Sequence, residues 1–152
     1  MALKNKTKAP DFTLPSSSGN DFSLYRDLSG KPCIIYFYPK DFTPGCTQEA
    51  CDFRDNFSFF KELSIDVIGI SRDSVSTHQK FIKSHQLPFE LLADEKGLVS
   101  KKYDALVPLI GVNRRITYLI DKEHRIVDSF ESMFGASKHI KNMVKAVQQD
   151  LA

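Results

Sequence analysis

The sequence predicts an α/β fold in which helices cover a central mixed sheet. Short apolar runs rich in β-branched and aromatic residues alternate with segments whose apolar residues recur at steps of three and four. The first pattern is typical of buried strands and the second of amphipathic helices. With 152 residues the chain is long enough for one sizeable core, so residues 1–152 are expected to form a single domain.

The first regular structure is predicted shortly after the N-terminus. The segments DFTLP and DFSLYRDL alternate apolar and polar residues, and the turn-rich segment SSSGN separates them. This pattern predicts a small β-hairpin before the main fold.

The central strand and helix are predicted within the stretch IIYFYPKDFTPGC. Residues 34–38 are all apolar, as expected of a strand buried on both faces, and Pro39 ends that run. Thr43 is predicted as the N-cap of a helix, with Pro44 at its first position. The apolar stripe of this helix is predicted at Ala50, Phe53, Phe57 and Phe60.

The remaining elements alternate between predicted strands and helices. A strand is predicted at 65–70, and a helix that carries Phe81 and Ile82 follows the capping residues 71–74. A strand at 89–92 and a brief helix at 97–103 come next, and two strands at 116–120 and 125–130 form a hairpin. The chain ends in a predicted amphipathic helix, whose apolar stripe consists of Ile140, Met143, Val144, Val147 and Leu151.

Charge and hydropathy exclude several classes of partner. The 21 basic and 19 acidic residues give a net charge of +2 and are spread along the chain, so no basic patch for nucleic acid or a membrane surface is expected. The N-terminal MALKNKTKAP lacks a following apolar segment, and no stretch approaches the roughly 18 apolar residues of a membrane span. We therefore expect a cytoplasmic protein with a small-molecule or protein partner.

Cysteine usage favours redox chemistry over a structural role. Three cysteines are too few for a disulfide scaffold, and their number is odd. The chain has no CxxC pair, and its four histidines show no zinc-ligand spacing with the cysteines. We expect neither a metal nor another cofactor.

Cys46 falls in the first turn of the predicted central helix. Unpaired backbone N–H groups and the positive end of the helix dipole favour a thiolate at that position. The alternative is a small buried apolar side chain, which describes most cysteines of globular proteins.

The residues around Cys46 resemble those of a known family. Pro39, Thr43 and Cys46 reproduce the P-x-x-x-T-x-x-C signature of peroxiredoxins, and FYPKDFTPGCTQEACDFRD is similar to the bacterioferritin comigratory protein, or Q-type, branch. Further matches at DFTLP, GISRDS, LPFELLAD and RRITYLID extend the resemblance over nearly the whole chain.

The resemblance implies a thioredoxin-like fold and a thiol-dependent peroxidase. Such an enzyme reduces hydrogen peroxide and organic hydroperoxides, serves antioxidant defence, and is re-reduced by thioredoxin or a glutaredoxin-like donor. The Q-type resemblance also favours a monomer. The other class that we considered is a thioredoxin-fold disulfide exchanger or binding module, which would use the CxxC pair that this chain lacks.

Attack on a peroxide needs a thiolate, donors for the leaving oxygen, and a pocket that excludes bulk water. Cys46 supplies the sulfur, Thr43 is expected to bring its hydroxyl near that sulfur, and Pro39 shields the pocket. The resemblance implies that Arg115, just before a distant strand, completes the site, with Arg114 as a weaker candidate. Taken alone, Arg115 reads as a solvated charge at a strand end.

Two further residues are candidates for the active site because they lie close to Cys46 in the sequence. Glu49 lies one turn after Cys46 and is expected to hold the arginine as an ion-pair partner, although it also fits an exposed helix carboxylate. Gly45 lets the backbone approach the substrate closely.

The resemblance places the resolving cysteine at Cys51, five residues after Cys46. On a regular helix their Cα atoms stand roughly 8 to 9 Å apart, whereas a disulfide needs them within about 7 Å. The first turns must therefore unwind, which predicts a helical reduced form and a locally unravelled oxidised form. The alternatives are that Cys51 is a packed helix residue, or that Cys33, otherwise a buried structural thiol, resolves instead.

Overall fold

A computed structural model of the protein describes residues 2–133 and 135–151. Within those ranges the chain forms seven strands and six α-helices. The strands are β1 (Thr13–Pro15), β2 (Asp21–Ser23), β3 (Cys33–Phe37), β4 (Asp66–Ser71), β5 (Glu90–Ala93), β6 (Ile116–Ile120) and β7 (Ile126–Glu131). The helices are α1 (Leu24–Asp27), α2 (Pro44–Asp55), α3 (Phe57–Glu62), α4 (Val75–His85), α5 (Leu98–Lys102) and α6 (Ser137–Ala146), and a π-helical turn (Val147–Leu151) follows α6.

Five strands form one mixed sheet in the order β5-β4-β3-β6-β7. β3 lies at its centre, parallel to β4 and antiparallel to β6, and each residue of β3 is buried. β1 and β2 pair separately as an antiparallel hairpin near the N-terminus. The predicted mixed sheet and hairpin are confirmed, and the bounds of the five sheet strands differ from the predicted ones by at most one residue.

Each face of the sheet has its own apolar cluster, because alternate residues of a strand point to opposite faces. Cys33, Ile35 and Phe37 of β3 belong to one cluster, together with the hairpin and α5. Ile34 and Tyr36 belong to the other, which contains the apolar faces of α2, α3, α4 and α6. Both faces of the sheet are therefore covered, as in other α/β layer folds.

The helix predicted to run on from residue 44 through Phe60 is two helices. Asn56 separates α2 from α3 with φ −106° and ψ 9°, and its Nδ2 donates to the Asp52 carbonyl oxygen at 2.8 Å. An asparagine side chain that bonds the backbone competes with the helix and favours its end. The apolar stripe continues past the break, since Phe60 is buried in the same cluster as Phe53.

At the C-terminus, Ile140 and Met143 of α6 are buried as predicted. The side chain of Leu151, the last predicted position of that stripe, lies outside the described part of the chain. Among the described residues, no helix has the length and apolar content needed to cross a bilayer.

Candidate active site

The sulfur of Cys46 lies at the start of α2, beyond the carboxyl end of β3. Thr43 is the N-cap residue with an extended backbone (φ −82°, ψ 151°), and Pro44 is the first helical residue, as predicted. The Cys46 side chain is only 1% exposed. Because the first N–H groups of a helix have no intrahelical acceptors, the positive end of the α2 dipole lies at this sulfur and favours negative charge there.

The hydroxyl of Thr43 has a different partner from the one expected of a cap. It makes no side-chain capping hydrogen bond to α2, and its Oγ1 instead donates to the Lys40 carbonyl oxygen at 2.7 Å. Thr43 is thus the N-cap by its position and backbone, as predicted, while its hydroxyl closes the preceding turn. A hydroxyl that donates keeps its lone pairs for accepting a further hydrogen bond.

Arg115 reaches Cys46 because of the strand pairing. In the antiparallel pair of β3 and β6, Phe37 lies opposite Ile116. Arg115 directly precedes Ile116, so it lies at the carboxyl end of β3, where the chain continues towards Cys46. Arg115 is 5% exposed, and its Nη2 donates to Cys46 Sγ at 3.3 Å. The solvated-charge interpretation of Arg115 is wrong, and Arg114 instead donates to the Asp104 carbonyl oxygen at 3.4 Å.

Glu49 holds the guanidinium from the next turn of α2. Arg115 Nη1 donates to Glu49 Oε1 at 2.6 Å, and the Glu49 side chain is fully buried. Burial raises the pKa of Glu49, and the positive charge of Arg115 opposes that shift. Glu49 is thus the predicted ion-pair partner and not an exposed helix carboxylate. A third acceptor, the Met133 carbonyl oxygen, receives the Arg115 Nε–H at 3.2 Å.

Gly45 leaves the space that the guanidinium occupies. A Cβ atom at this position would stand 3.0 Å from Arg115 Nη2, which is closer than almost all such contacts in proteins. The absence of a side chain at Gly45 therefore permits the approach of Arg115. Its predicted benefit for substrate approach stays a prediction.

His139 joins this group from α6, a position that no pattern in the sequence predicted. Its Nε2 donates to the Ser132 carbonyl oxygen at 2.9 Å, so in the neutral ring Nδ1 accepts from the Thr117 hydroxyl at 2.8 Å. Nδ1 also lies 3.6 Å from Glu49 Oε2. Burial and the nearby charge of Arg115 lower the pKa of His139 to about 4, although the bond to Ser132 opposes the shift. His139 is therefore a neutral neighbour of the buried ion pair at neutral pH.

The three thiols are free and differ in their surroundings. Cys51 is half-buried on the unbroken helix α2, and its Sγ lies 3.9 Å from Nδ1 of His85. Cys33 is fully buried, and burial raises the pKa of its thiol. Since Cys33 and Cys46 belong to clusters on opposite faces of the sheet, β3 and its neighbours stand between them.

A second polar cluster lies next to the loop that precedes α2. Asp41, Asp73 and His78 each place a potential ligand atom within 4.8 Å of the others, which is close enough to hold a metal ion. These atoms also bond within the protein: His78 Nδ1 lies 2.6 Å from Asp41 Oδ2, and His78 Nε2 lies 3.0 Å from the Leu92 carbonyl oxygen. Asp73 Oδ2 accepts from the Asp41 backbone N–H at 2.8 Å. The cluster therefore ties α4 to this loop.

Comparison with known proteins gives one family. A profile of the AhpC/TSA family matches residues 6–129. Peroxiredoxin Q from the chloroplast of Populus jackii is 41% identical over 150 residues, covering 97% of this chain and 70% of that protein. The putative peroxiredoxin bcp of Coxiella burnetii is 46% identical over 129 residues, covering 81% of this chain and 85% of that protein. The chain spans 64% of the length of the related rice proteins.

Solved structures agree with this result. The peroxidoxin BcpB of Mycobacterium tuberculosis superposes with a TM-score of 0.90 at 32% identity, covering 97% of this chain and 98% of that one. The thioredoxin-like fold implied by the sequence resemblance is thereby confirmed.

Proposed function

The chain belongs to the AhpC/TSA family, and from that premise we propose how its site carries out the family's reaction. The protein is a thiol-dependent peroxidase of the peroxiredoxin Q and Bcp type. The observation that supports Cys46 as its reactive residue is the contact between the Cys46 sulfur and a guanidinium that is itself fixed by the buried Glu49.

In the first step the Cys46 thiolate attacks one oxygen of a hydroperoxide. An S–O bond forms and the O–O bond breaks, which leaves Cys46 as a sulfenic acid and releases an alkoxide or hydroxide. The leaving oxygen takes a proton and departs as an alcohol or water. Positive charge from Arg115 and the N-terminus of α2 stabilises the thiolate and the charge that develops on the leaving oxygen.

The surrounding residues position the peroxide. Thr43 donates its own proton to the Lys40 carbonyl, so its Oγ1 accepts from the peroxide O–H and orients the oxygen that is attacked. Pro39 is half-buried where the β3 segment meets this loop and shields the pocket from bulk water. Hydrogen peroxide and organic hydroperoxides are the substrates.

In the second step the Cys51 thiol condenses with the sulfenic acid to form an intramolecular disulfide. In the intact α2 a five-residue step separates the two Cα atoms by roughly 8 to 9 Å, beyond the roughly 7 Å limit for a disulfide. The first turns of α2 therefore unwind in the oxidised form. The position of Cys33 on the other face of the sheet argues against Cys33 as the resolving thiol.

A dithiol donor of the thioredoxin or glutaredoxin type completes the cycle by reducing the disulfide. The protein acts as a monomer in the cytoplasm, where it serves antioxidant defence. The Q-type relatives support the reductant class, and the small, odd number of cysteines supports a reducing compartment.

The test is peroxide consumption with a thioredoxin-type reducing system, comparing wild type with Cys46→Ser and Cys33→Ser. We expect turnover in wild type and in Cys33→Ser, and none in Cys46→Ser. A protein that exchanges disulfides with thioredoxin but consumes no peroxide would overturn the proposal.

A further inference from the structure

The half-buried thiol of Cys51 has a histidine neighbour with no role in the reaction described above. Its Sγ lies 3.9 Å from Nδ1 of His85, the last residue of α4. His85 also keeps part of its surface exposed. With the ring proton on Nε2, Nδ1 is a hydrogen-bond acceptor directed at the S–H group.

The two helices are tied together at this point. Arg54, one turn after Cys51, donates from Nη1 to the His85 carbonyl oxygen at 2.8 Å, and its Nε pairs with Asp55 Oδ1 at 3.0 Å. The imidazole packs edge-on against the Phe81 ring, with centroids 5.1 Å apart. The contact between His85 and the thiol is therefore held by a backbone bond and a ring contact. A partly exposed cysteine beside histidine and arginine has the surroundings of a reactive thiol.

We propose, on the basis of the proposed resolving role of Cys51, that His85 is the base that activates this cysteine. Nδ1 takes the thiol proton, and the Cys51 thiolate attacks the sulfur of the Cys46 sulfenic acid. The S–S bond forms as the S–O bond breaks, and the departing hydroxide takes a proton from the imidazolium to leave as water. Cys51 is oxidised and the Cys46 sulfur is reduced, so the step needs no other oxidant or reductant.

The same contacts determine which half of α2 moves. The Arg54 bond to α4 holds the C-terminal half of α2, including Cys51, beside His85. The turn from residue 46 to residue 50 is then the part that unwinds, and Cys46 travels towards a fixed Cys51. His85 consequently stays in contact with its thiol while the disulfide closes.

The test separates the two chemical steps by rapid quench after one equivalent of hydrogen peroxide. Because the chain has no tryptophan, free thiol, sulfenic acid and disulfide are counted by alkylation and mass spectrometry. His85→Asn removes the base but keeps a polar group near the Nδ1 position, and Ser84→Asn, at the exposed neighbouring residue, is the matched control.

We expect sulfenic acid formation to keep its wild-type rate in both variants. Disulfide formation in His85→Asn should slow by at least about 10-fold at pH 7, because no side chain then takes the proton of the attacking thiol. Relative to wild type, the defect should shrink as the pH rises, because hydroxide in the solvent then removes the thiol proton in place of the base. His85→Gln should show the same pH-dependent defect.

Three results would overturn the proposal. They are an unchanged rate of disulfide formation in both His85 variants at pH 7, a slowing that is equal at every pH, and a wild type that forms no disulfide between Cys46 and Cys51. The last result refutes the resolving role of Cys51 itself, whereas the first two refute only the role of His85. An unaltered first step shows that each variant is folded.

Discussion

Replacing Arg115 with methionine should destabilise the protein by removing the partner of a buried carboxylate. The Arg115 and Glu49 side chains are 5% and 0% exposed and are joined at 2.6 Å. Removing one partner of such a pair costs about 3–5 kcal/mol, because the other charge is left uncompensated. Glu49 escapes part of this cost by taking up a proton, because burial raises its pKa and the charge of Arg115 no longer opposes that shift. We therefore expect a loss of about 3 kcal/mol at pH 7 and a larger loss at pH 9.

A double-mutant cycle isolates the pair. Glu49→Gln alone leaves the Arg115 cation buried without its carboxylate, whereas Arg115→Met with Glu49→Gln removes both charges. The double variant should therefore be more stable than the sum of the single effects predicts, by about 2 kcal/mol. Urea unfolding of the four proteins measures this difference.

Arg115→Met should also slow the first chemical step, the attack of Cys46 on the peroxide. Hydrogen bonds to charged groups contribute about 1.5–3 kcal/mol, and Arg115→Met removes the one to Cys46 Sγ. The second-order rate constant with hydrogen peroxide should fall by roughly 10- to 150-fold. Arg115→Lys should lie between, because one ammonium keeps the charge but lacks the planar fork that reaches three acceptors.

Two outcomes would refute this reasoning. One is an Arg115→Met variant, folded by circular dichroism, that reacts with peroxide at the wild-type rate. The other is additivity of the two single substitutions in the unfolding cycle, which would mean that the buried charges do not interact.

Three other substitutions give further tests. Gly45→Ala places a Cβ 3.0 Å from Arg115 Nη2, so it should slow peroxide reduction about tenfold in single-turnover kinetics, with little change in the free energy of unfolding. Because the pKa of His139 is lowered to about 4, the wild type should lose up to about 3 kcal/mol of stability as the pH falls from 6.5 to 4. His139→Asn should show a smaller loss over this range, which urea unfolding at several pH values measures. Cys33→Ala should cost about 1 kcal/mol of stability in the same unfolding assay, yet leave the peroxide reaction and disulfide formation unchanged, because this thiol is fully buried on the opposite face.

The start of the site could be predicted because local rules determine it. A threonine followed by proline begins α2, and the spacing then places Cys46 in the first turn. Apolar periodicity also predicted the alternation of strands and helices. It did not predict the break at Asn56, because the apolar stripe runs through the break and a side-chain bond to the backbone marks the end of α2.

The partners of Arg115 show where sequence reasoning stops. Glu49 was expected beside it, since one helical turn separates Glu49 from Cys46 and the family resemblance implied Arg115. The Met133 carbonyl and the nearby His139 were not expected, because they reach the site only through the packing of α6 and the segment after β7. The contact between Cys51 and His85 likewise depends on how α4 packs against α2.

The central claim, a two-cysteine peroxidase cycle, is tested most directly by intact mass under non-reducing conditions after one equivalent of hydrogen peroxide. Wild type should lose two hydrogens, and peptide mapping should place the new disulfide between Cys46 and Cys51. Cys51→Ser should instead gain one oxygen as a sulfenic acid at Cys46. A wild type that stops at the sulfenic acid, or that links Cys46 to Cys33, would contradict the assignment of Cys51, and no reaction at Cys46 would contradict the account as a whole.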